Sequence, residues 1–303
     1  MLIHRGQREE TKGQLTTACL IMFIAFASTA AYGAELLSLI EFKDHGSIDW
    51  TAGVVTAKGL GNPSSYGYHT ATRENNEQVM TEATAKARHN LLETIVGMRI
   101  DGHHRVIDIV ENYPSIMTYL RKMAYKAPEV ENLRNYLYDG GLEVWSQMAF
   151  NGGFSQLILP PDIKQIESIK RILPPRNSTE RLSKRRSSEI HTGMVVDARG
   201  IEAVPAMAPR ILDENLEEVF GPTYASREFA VQHGVVRYAT NIWQAKFDLR
   251  VSDNPIVVKA LKAVWPGRCD FIISNADADK LRSASEHLLF LRECRVIIVL
   301  DPM

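Results

Sequence analysis

The chain has 303 residues, of which 45% are hydrophobic and 23% charged, with a formal net charge of -1 at pH 7. These proportions suit a globular protein with a hydrophobic core, and the length predicts about two domains. The near-zero charge argues against a general nucleic-acid binder, which needs a basic surface to neutralise phosphates.

The N-terminus has the layout of a secretory signal peptide. A basic segment precedes an apolar run at residues 15–31, and small residues follow it up to Gly33. This pattern predicts cleavage before Ala34 and a mature protein in the periplasm or outer envelope of a bacterium. The alternative is an uncleaved N-terminal membrane anchor, since the run approaches the minimum of about 17 residues for a span. Cys19 lies near the start of the run, which argues against lipidation there.

Residues 34–170 predict a first domain in which helices pack on one face of a sheet. Alternation at 47–57 predicts one half-buried strand. The Gly-Leu-Gly at 59–61 lacks the third glycine of a nucleotide-binding fingerprint and predicts only a loop. An apolar stripe at every fourth position predicts a long helix over residues 73–96, ended by Gly97. The stripe consists of Val79, Ala83, Ala87, Leu91 and Ile95.

Smaller elements are predicted in the remainder of this part. The hydrophobic pattern predicts a strand at residues 98–109 and a second helix at residues 113–125. Residues 142–150 predict a strand that forms a hairpin with residues 133–138 across Asp139-Gly140-Gly141. The order of strands and helices indicates the α+β class.

Three features of this part resemble the LPP20-like lipoprotein fold. They are the strand at 48–57, the helix with Ala83 and Ala87 that ends at Gly97, and Arg99-Ile100-Asp101 after it. That fold is shared with the N-terminal domain of the flagellar assembly protein FlgT. The resemblance covers roughly the first third to half of the mature chain and rests on hydrophobic spacings. It implies an envelope- or flagellum-associated protein that is structural rather than enzymatic, although the lipidated cysteine of that family has no counterpart here.

Residues 171–189 predict a flexible basic linker. Two prolines are followed by polar and basic residues, with Leu182 as the one apolar side chain among them. Lys184, Arg185 and Arg186 offer a contact with an anionic surface such as lipid headgroups or cell-wall polymer. The alternative interpretation is a solvated tether.

Residues 190–303 predict a second, α/β domain. The stretch at 191–220 predicts a strand, a turn at Gly200 and a second strand at 209–213. Further strands are predicted at 234–240, 255–264, 271–275 and 295–300. A helix through about residue 289, capped by Asn275 or Asp277, joins the last two strands into a predicted right-handed βαβ unit.

Four segments of this domain resemble the C-terminal part of secreted bacterial proteins that pair it with an LPP20-like region. The segments are 195–200, 205–211, 274–278 and 294–299. The resemblance implies no activity, because no chemistry is assigned to that region.

The candidate ligand-binding residues are Asp197, Arg199 and Arg210. Asp197 and Arg199 lie two residues apart at the end of a predicted strand, where side chains at i and i+2 point the same way. They either pair with each other or face a common ligand. A cleft near them and Arg210 would suit an envelope hydrolase or a periplasmic ligand-binding module.

No catalytic residue, cofactor or metal site is predicted. Asp277 and Asp279 suit the start of a helix, where acidic residues favour the helix dipole. His103 and His104 are adjacent and point in different directions, so they make a poor ligand pair.

Cys269 and Cys294 flank the predicted βαβ unit, at one end of what would be neighbouring parallel strands. The alternatives are a disulfide in an oxidising compartment and two free buried thiols.

We therefore expect an exported, two-domain α+β protein that is not an enzyme. It is expected to act through contacts with envelope or flagellar proteins, without nucleic acid and without a cofactor.

Overall fold

The computed structural model describes residues 38–63, 73–164 and 190–303. The predicted signal peptide (1–33) and linker (171–189), with Lys184, Arg185 and Arg186, lie outside the described residues. The predicted α+β class is confirmed, since helices pack on an antiparallel sheet of five strands and on a mixed sheet of seven. Residues 39–303 form one compact unit.

The first sheet is antiparallel. Its strands are β1 (Ile40–Lys43), β2 (Gly46–Asp49), β3 (Val54–Gly61), β4 (Asn135–Tyr136) and β5 (Leu142–Ala149), in the order β1-β2-β3-β5-β4. The single strand predicted over residues 47–57 is wrong, because β2 and β3 form a hairpin. Asp49 caps the turn by accepting the N–H groups of Thr51 and Ala52 at 2.9 and 2.8 Å, and Gly53 has a φ of 73°.

The long helix α1 (Arg73–Val96) has the predicted bounds, and its predicted apolar stripe is buried. Its alanines lie directly on β3. A Cβ added at Gly59 would collide with the backbone of Ala83 and Ala87, and one at Gly61 with that of Val79. The loop predicted at 59–61 is therefore wrong: these glycines belong to β3 and let the helix approach the sheet closely.

The strand predicted at residues 98–109 is wrong. A single bridge joins Arg99 and Arg105, and α2 (Val106–Asn112) follows it. The Asp108 carboxylate accepts the N–H of Arg105 at 2.6 Å, which satisfies one of the free donors at the start of α2. The second predicted helix, α3 (Pro114–Tyr125), is confirmed, as is the β4–β5 hairpin. A short helix, α4 (Gly153–Ile158), ends this part.

The second sheet contains all six strands predicted in the C-terminal part and one that was not predicted, β8. Its strands are β6 (Gly193–Asp197), β7 (Ile211–Leu212), β8 (Glu218–Phe220), β9 (Arg237–Ala239), β10 (Pro255–Ala263), β11 (Phe271–Ile273) and β12 (Val296–Val299). The order is β8-β7-β11-β10-β6-β12-β9. The four strands β10, β6, β12 and β9 are parallel, whereas β11 runs antiparallel to β10.

Four helices accompany this sheet: α5 (Arg227–His233), α6 (Ile242–Lys246), α7 (Asn275–Arg282) and α8 (Ser285–Arg292). The one helix predicted through residue 289 is thus two. Ser274, rather than Asn275 or Asp277, caps α7 by accepting the N–H of Asp277 at 3.1 Å. The predicted βαβ unit is wrong, because β11 and β12 run in opposite directions and β10 and β6 lie between them.

The two sheets share one hydrophobic cluster. Trp50 packs edge-to-face on Phe150 at 5.5 Å and on Tyr238 at 5.9 Å, which joins the first part to the second. Backbone bonds add to this contact, since Met207 and Ala208 donate to the carbonyls of residues 99 and 100. The predicted domains each hold one sheet, and their side chains meet in a common core.

Candidate functional site

Asp197 ends β6, and Arg199 holds its carboxylate. Arg199 Nε lies 2.8 Å from Oδ1 and Nη2 lies 2.9 Å from Oδ2, which is a bidentate arrangement. Lys259, the register partner of Asp197 on β10, adds an ammonium 3.7 Å from Oδ2. The two candidate residues therefore pair with each other, and Arg199 lies in the turn beyond the strand.

This pair is a stable ionic contact rather than a proton-transfer site. The side-chain bonds from Arg199 hold the pKa of Asp197 below its ordinary value, although burial opposes them, and the same bonds raise the pKa of Arg199. A general base instead needs a pKa near the working pH. The turn is fixed further by Gly200, whose N–H donates to Asp301 Oδ2 at 2.7 Å.

Arg210 precedes β7 and belongs to a separate ion pair. Its backbone N–H, Nε and Nη2 donate to the carboxylate of Asp270 at 2.8, 2.9 and 2.7 Å. Asp270 is buried. Burial alone would lower the pKa of Arg210, but the Asp270 carboxylate more than offsets it. Because β10 and β11 separate β7 from β6, the structure does not bring Arg210 to the Asp197–Arg199 pair.

Cys269 and Cys294 are free and buried. The predicted geometry of neighbouring parallel strands does not hold for them, because β11 and β12 are neither parallel nor adjacent. Burial raises the pKa of each thiol to about 12. Thiolate is the reactive form, so neither cysteine is prepared for nucleophilic or redox chemistry at neutral pH.

The acidic and histidine candidates have local structural roles. Asp277 accepts from Ser274 Oγ at 2.9 Å and from Lys280 at 3.1 Å. The ring of His104 is bonded to Asp101 at 3.1 Å. Across residues 38–63, 73–164 and 190–303, no group of three or more His, Cys, Asp or Glu side chains is arranged to hold a metal ion.

No sequence pattern pointed to the partly buried Arg250. Its guanidinium donates to the carbonyls of Cys294, His233 and Gly234 at 2.7, 2.7 and 2.6 Å. Burial lowers its pKa to about 10, which leaves it charged at neutral pH. These carbonyls end α5 and α8, where a cation favours the helix dipole. The partners lie 16 to 44 residues away, so no local pattern could identify them.

Two surfaces were also missed. One, which we call the 243–249 surface, carries Trp243, Phe247 and Leu249, exposed at 66%, 80% and 95%. The other, which we call the α1–α3 groove, is a cavity of about 630 Å³ between those helices. The groove could have been predicted from a second stripe on α1, which has four-residue spacing and consists of Met80, Thr84, Arg88 and Leu92.

Residues 193–302 are similar to the second domain of Treponema pallidum Tp0624, whose family model they match. The match covers about a third of the chain, begins at the first residue of β6 and contains all seven strands of the second sheet. No curated protein matched the chain. Among the described residues, no helix is both long enough and apolar enough to cross a membrane.

Proposed function

We propose that this chain is an exported component of a bacterial cell envelope and acts by binding other envelope proteins. The observation that carries the proposal is the 243–249 surface. Three large apolar side chains stand exposed within seven residues, and Trp and aromatic residues are enriched at the energetic centres of protein interfaces. Exposed apolar side chains that are grouped rather than scattered mark interaction sites.

The 243–249 surface is held in a defined geometry. Asn241 caps α6 by accepting the N–H of Trp243 at 2.8 Å. The opposite side of α6 buries Ala245 in a cluster with Val195 and Val299 of the sheet. Asp248 pairs with Arg237 at 3.0 Å. A surface already ordered before binding loses less conformational entropy when a partner arrives, which favours affinity.

The location rests on the sequence. The signal-peptide layout before Ala34 supports export, and the LPP20-like and FlgT-like resemblance supports an envelope or flagellar setting. The charged candidates support contact over catalysis, because Asp197, Arg199 and Arg210 are all engaged in ion pairs within the chain.

The test uses a photo-crosslinking amino acid placed at position 247 of the full chain in its native bacterium. We expect discrete crosslinked species from the envelope fraction, lost at least tenfold when Trp243 and Leu249 are both changed to Ser. A crosslinker at position 289, with Leu288→Ser, is the matched control at another exposed apolar site. Crosslinks that are unchanged by the Trp243/Leu249 changes, or none from position 247, would overturn the contact function.

Export is tested separately. N-terminal sequencing of the chain from the envelope fraction is expected to begin near Ala34. Recovery of the intact chain from the cytoplasm alone would overturn the envelope setting and leave the contact result standing by itself.

A further inference from the structure

The α1–α3 groove combines an apolar floor with two arginines. Met80 and Leu92 come from α1, and Ala124 and Tyr125 from α3. Arg88 enters from α1, and Arg121 enters from the C-terminal half of α3. This stripe of α1 lies beside the one on the sheet. Met80 and Leu92 pack partly against the hydrophobic clusters and also form a wall of the groove. A cavity of about 630 Å³ lies within the range of ordinary ligand sites.

The positive charge in the groove is not balanced within the described residues. Arg88 and Arg121 form no ion pair with any carboxylate of that part of the chain, and the buried Nε of Arg88 has no hydrogen-bond partner there. The carboxylate that lines the groove, Glu129, is already engaged by Thr84 at 2.7 Å and by Arg134 at 2.8 Å. The groove therefore holds two guanidinium groups without a carboxylate partner among the described residues, and an incoming carboxylate can supply that partner.

Arg88 is also oriented for recognition. Its guanidinium stands over the ring of Tyr125 at 5.2 Å, so one face of the group is occupied. Stacking of this kind fixes the plane of the guanidinium and leaves its N–H edge for a ligand. A planar edge with paired donors matches a carboxylate, which can accept two parallel hydrogen bonds.

We propose that the α1–α3 groove binds a short segment of a partner protein that carries an Asp or Glu among apolar side chains. The carboxylate meets Arg88 and Arg121, and the apolar side chains lie on Met80, Leu92 and Ala124. A concave groove between two helices accepts a peptide segment in the manner of helix-in-groove recognition, and a flat bilayer surface cannot follow it. This inference rests on the proposed function in one respect, that the chain has a protein partner. The groove and the 243–249 surface are separate sites, because they share no residue.

The experiment selects a displayed library of random 12-residue peptides on the mature full-length chain. Enriched sequences are expected to share an acidic residue flanked by apolar residues. A labelled peptide from that set is expected to bind at least tenfold more weakly to Arg88→Gln and to Arg121→Gln. Replacing its acidic residue by the amide should weaken binding to the wild type by a similar factor and change binding to the double variant little.

Matched variants keep the result interpretable. Lys122→Gln removes the same charge from the neighbouring exposed position of α3, outside the groove, and is expected to leave binding unchanged. Arg88→Lys keeps the charge without the planar edge and is expected to bind with intermediate affinity. Circular dichroism melting of each variant confirms that it is folded.

Four outcomes would overturn the proposal: no enriched sequence, enriched sequences without an acidic residue, equal binding to the double variant, or displacement by decanoate at the peptide's own affinity. The last would identify the ligand as a small amphiphile instead. The Trp243→Ser/Leu249→Ser chain is expected to bind the peptide normally. Failure of the groove and failure of the contact surface are therefore separate results.

Discussion

Asp197 serves as an anchor for the turn after β6, because both of its carboxylate oxygens accept bonds from Arg199. Arg199 is partly exposed, so solvent screens the pair. We expect Asp197→Asn to lower the free energy of unfolding by about 1 kcal/mol, measured by urea denaturation at pH 7. Asp279→Asn, at an exposed position of α7, is the control and is expected to change stability by less than about 0.5 kcal/mol.

The same pair predicts an acid dependence. The folded-state pKa of Asp197 lies below its unfolded value, so its contribution is present above about pH 4, near the ordinary aspartate pKa. That contribution is lost as the pH falls through the lower folded-state pKa. The stability difference between wild type and Asp197→Asn should therefore shrink in acid. A variant as stable as the wild type at pH 7 that has lost its crosslinks would instead make this pair a binding site.

Arg250 is a structural cation that satisfies three carbonyls at helix ends. Arg250→Met leaves those three carbonyls without this donor, and we expect a loss of about 3 kcal/mol in the free energy of unfolding. Arg250→Lys keeps the charge but cannot reach all three carbonyls, so an intermediate loss is expected. A loss below about 1 kcal/mol for the methionine variant, measured by urea denaturation, would contradict this role.

Among the elements, the contact between α1 and β3 depends on the absence of side chains at two glycines. Gly59→Ala and Gly61→Ala each force a methyl group into the backbone of α1, and we expect each to cost about 2–3 kcal/mol. Gly97→Ala is the matched control at the end of the same helix. Its added Cβ would lie 3.6 Å from the nearest atoms, an ordinary contact. The melting temperatures of the three variants show whether α1 lies in direct contact with β3.

Sequence patterns predicted the elements whose signals are local. The α1 stripe repeats over a single helix, so Val79 to Ile95 predicted the helix and Gly97 predicted its end. The prediction of a single strand at 47–57 is wrong because Asp49 and Gly53 form a turn, which reverses the chain in the middle of an alternating pattern. The strand predicted at 98–109 is wrong because the apolar residues there are few. Burial of Val106 and Val110 against other elements favours a helix instead.

In the candidate site, too, the contact between residues close in sequence could be predicted and the contact between distant residues could not. Asp197 and Arg199 lie two residues apart, so their pairing could be anticipated. Arg210 and Asp270 lie 60 residues apart, and only the order of β7 and β11 brings them together. The βαβ prediction failed for a related reason, since the sequence carries no signal for the direction in which β11 enters the sheet.

At the scale of the whole molecule, the two predicted domains are joined by polar as well as apolar contacts. Arg99 donates to Glu41 at 2.6 Å within the first part and to the carbonyl of Pro205 at 2.9 Å in the second. Arg227 on α5 donates to the carbonyls of Gln156, Pro160 and Ile163. Burial alone would raise the pKa of Glu41, but its bonds with Lys43 and Arg99 lower it, so this carboxylate stays charged.

These contacts predict the outcome of cutting the chain between its two sheets. The composition of residues 171–189 predicts trypsin cleavage around Arg181 to Arg186. Because Trp50 and Tyr238 lie in one core, we expect the two fragments to elute together on size exclusion and to separate only in urea.

Trp50→Ala should let the cleaved fragments separate at a lower urea concentration, since it removes a buried ring that contacts Phe150 and Tyr238. Trp243→Ala removes an exposed ring and is the control, expected to leave the separation unchanged. Fragments that part without denaturant, each still folded by circular dichroism, would mean that the two sheets are independent domains. In that case the shared core would contribute little to holding the molecule together.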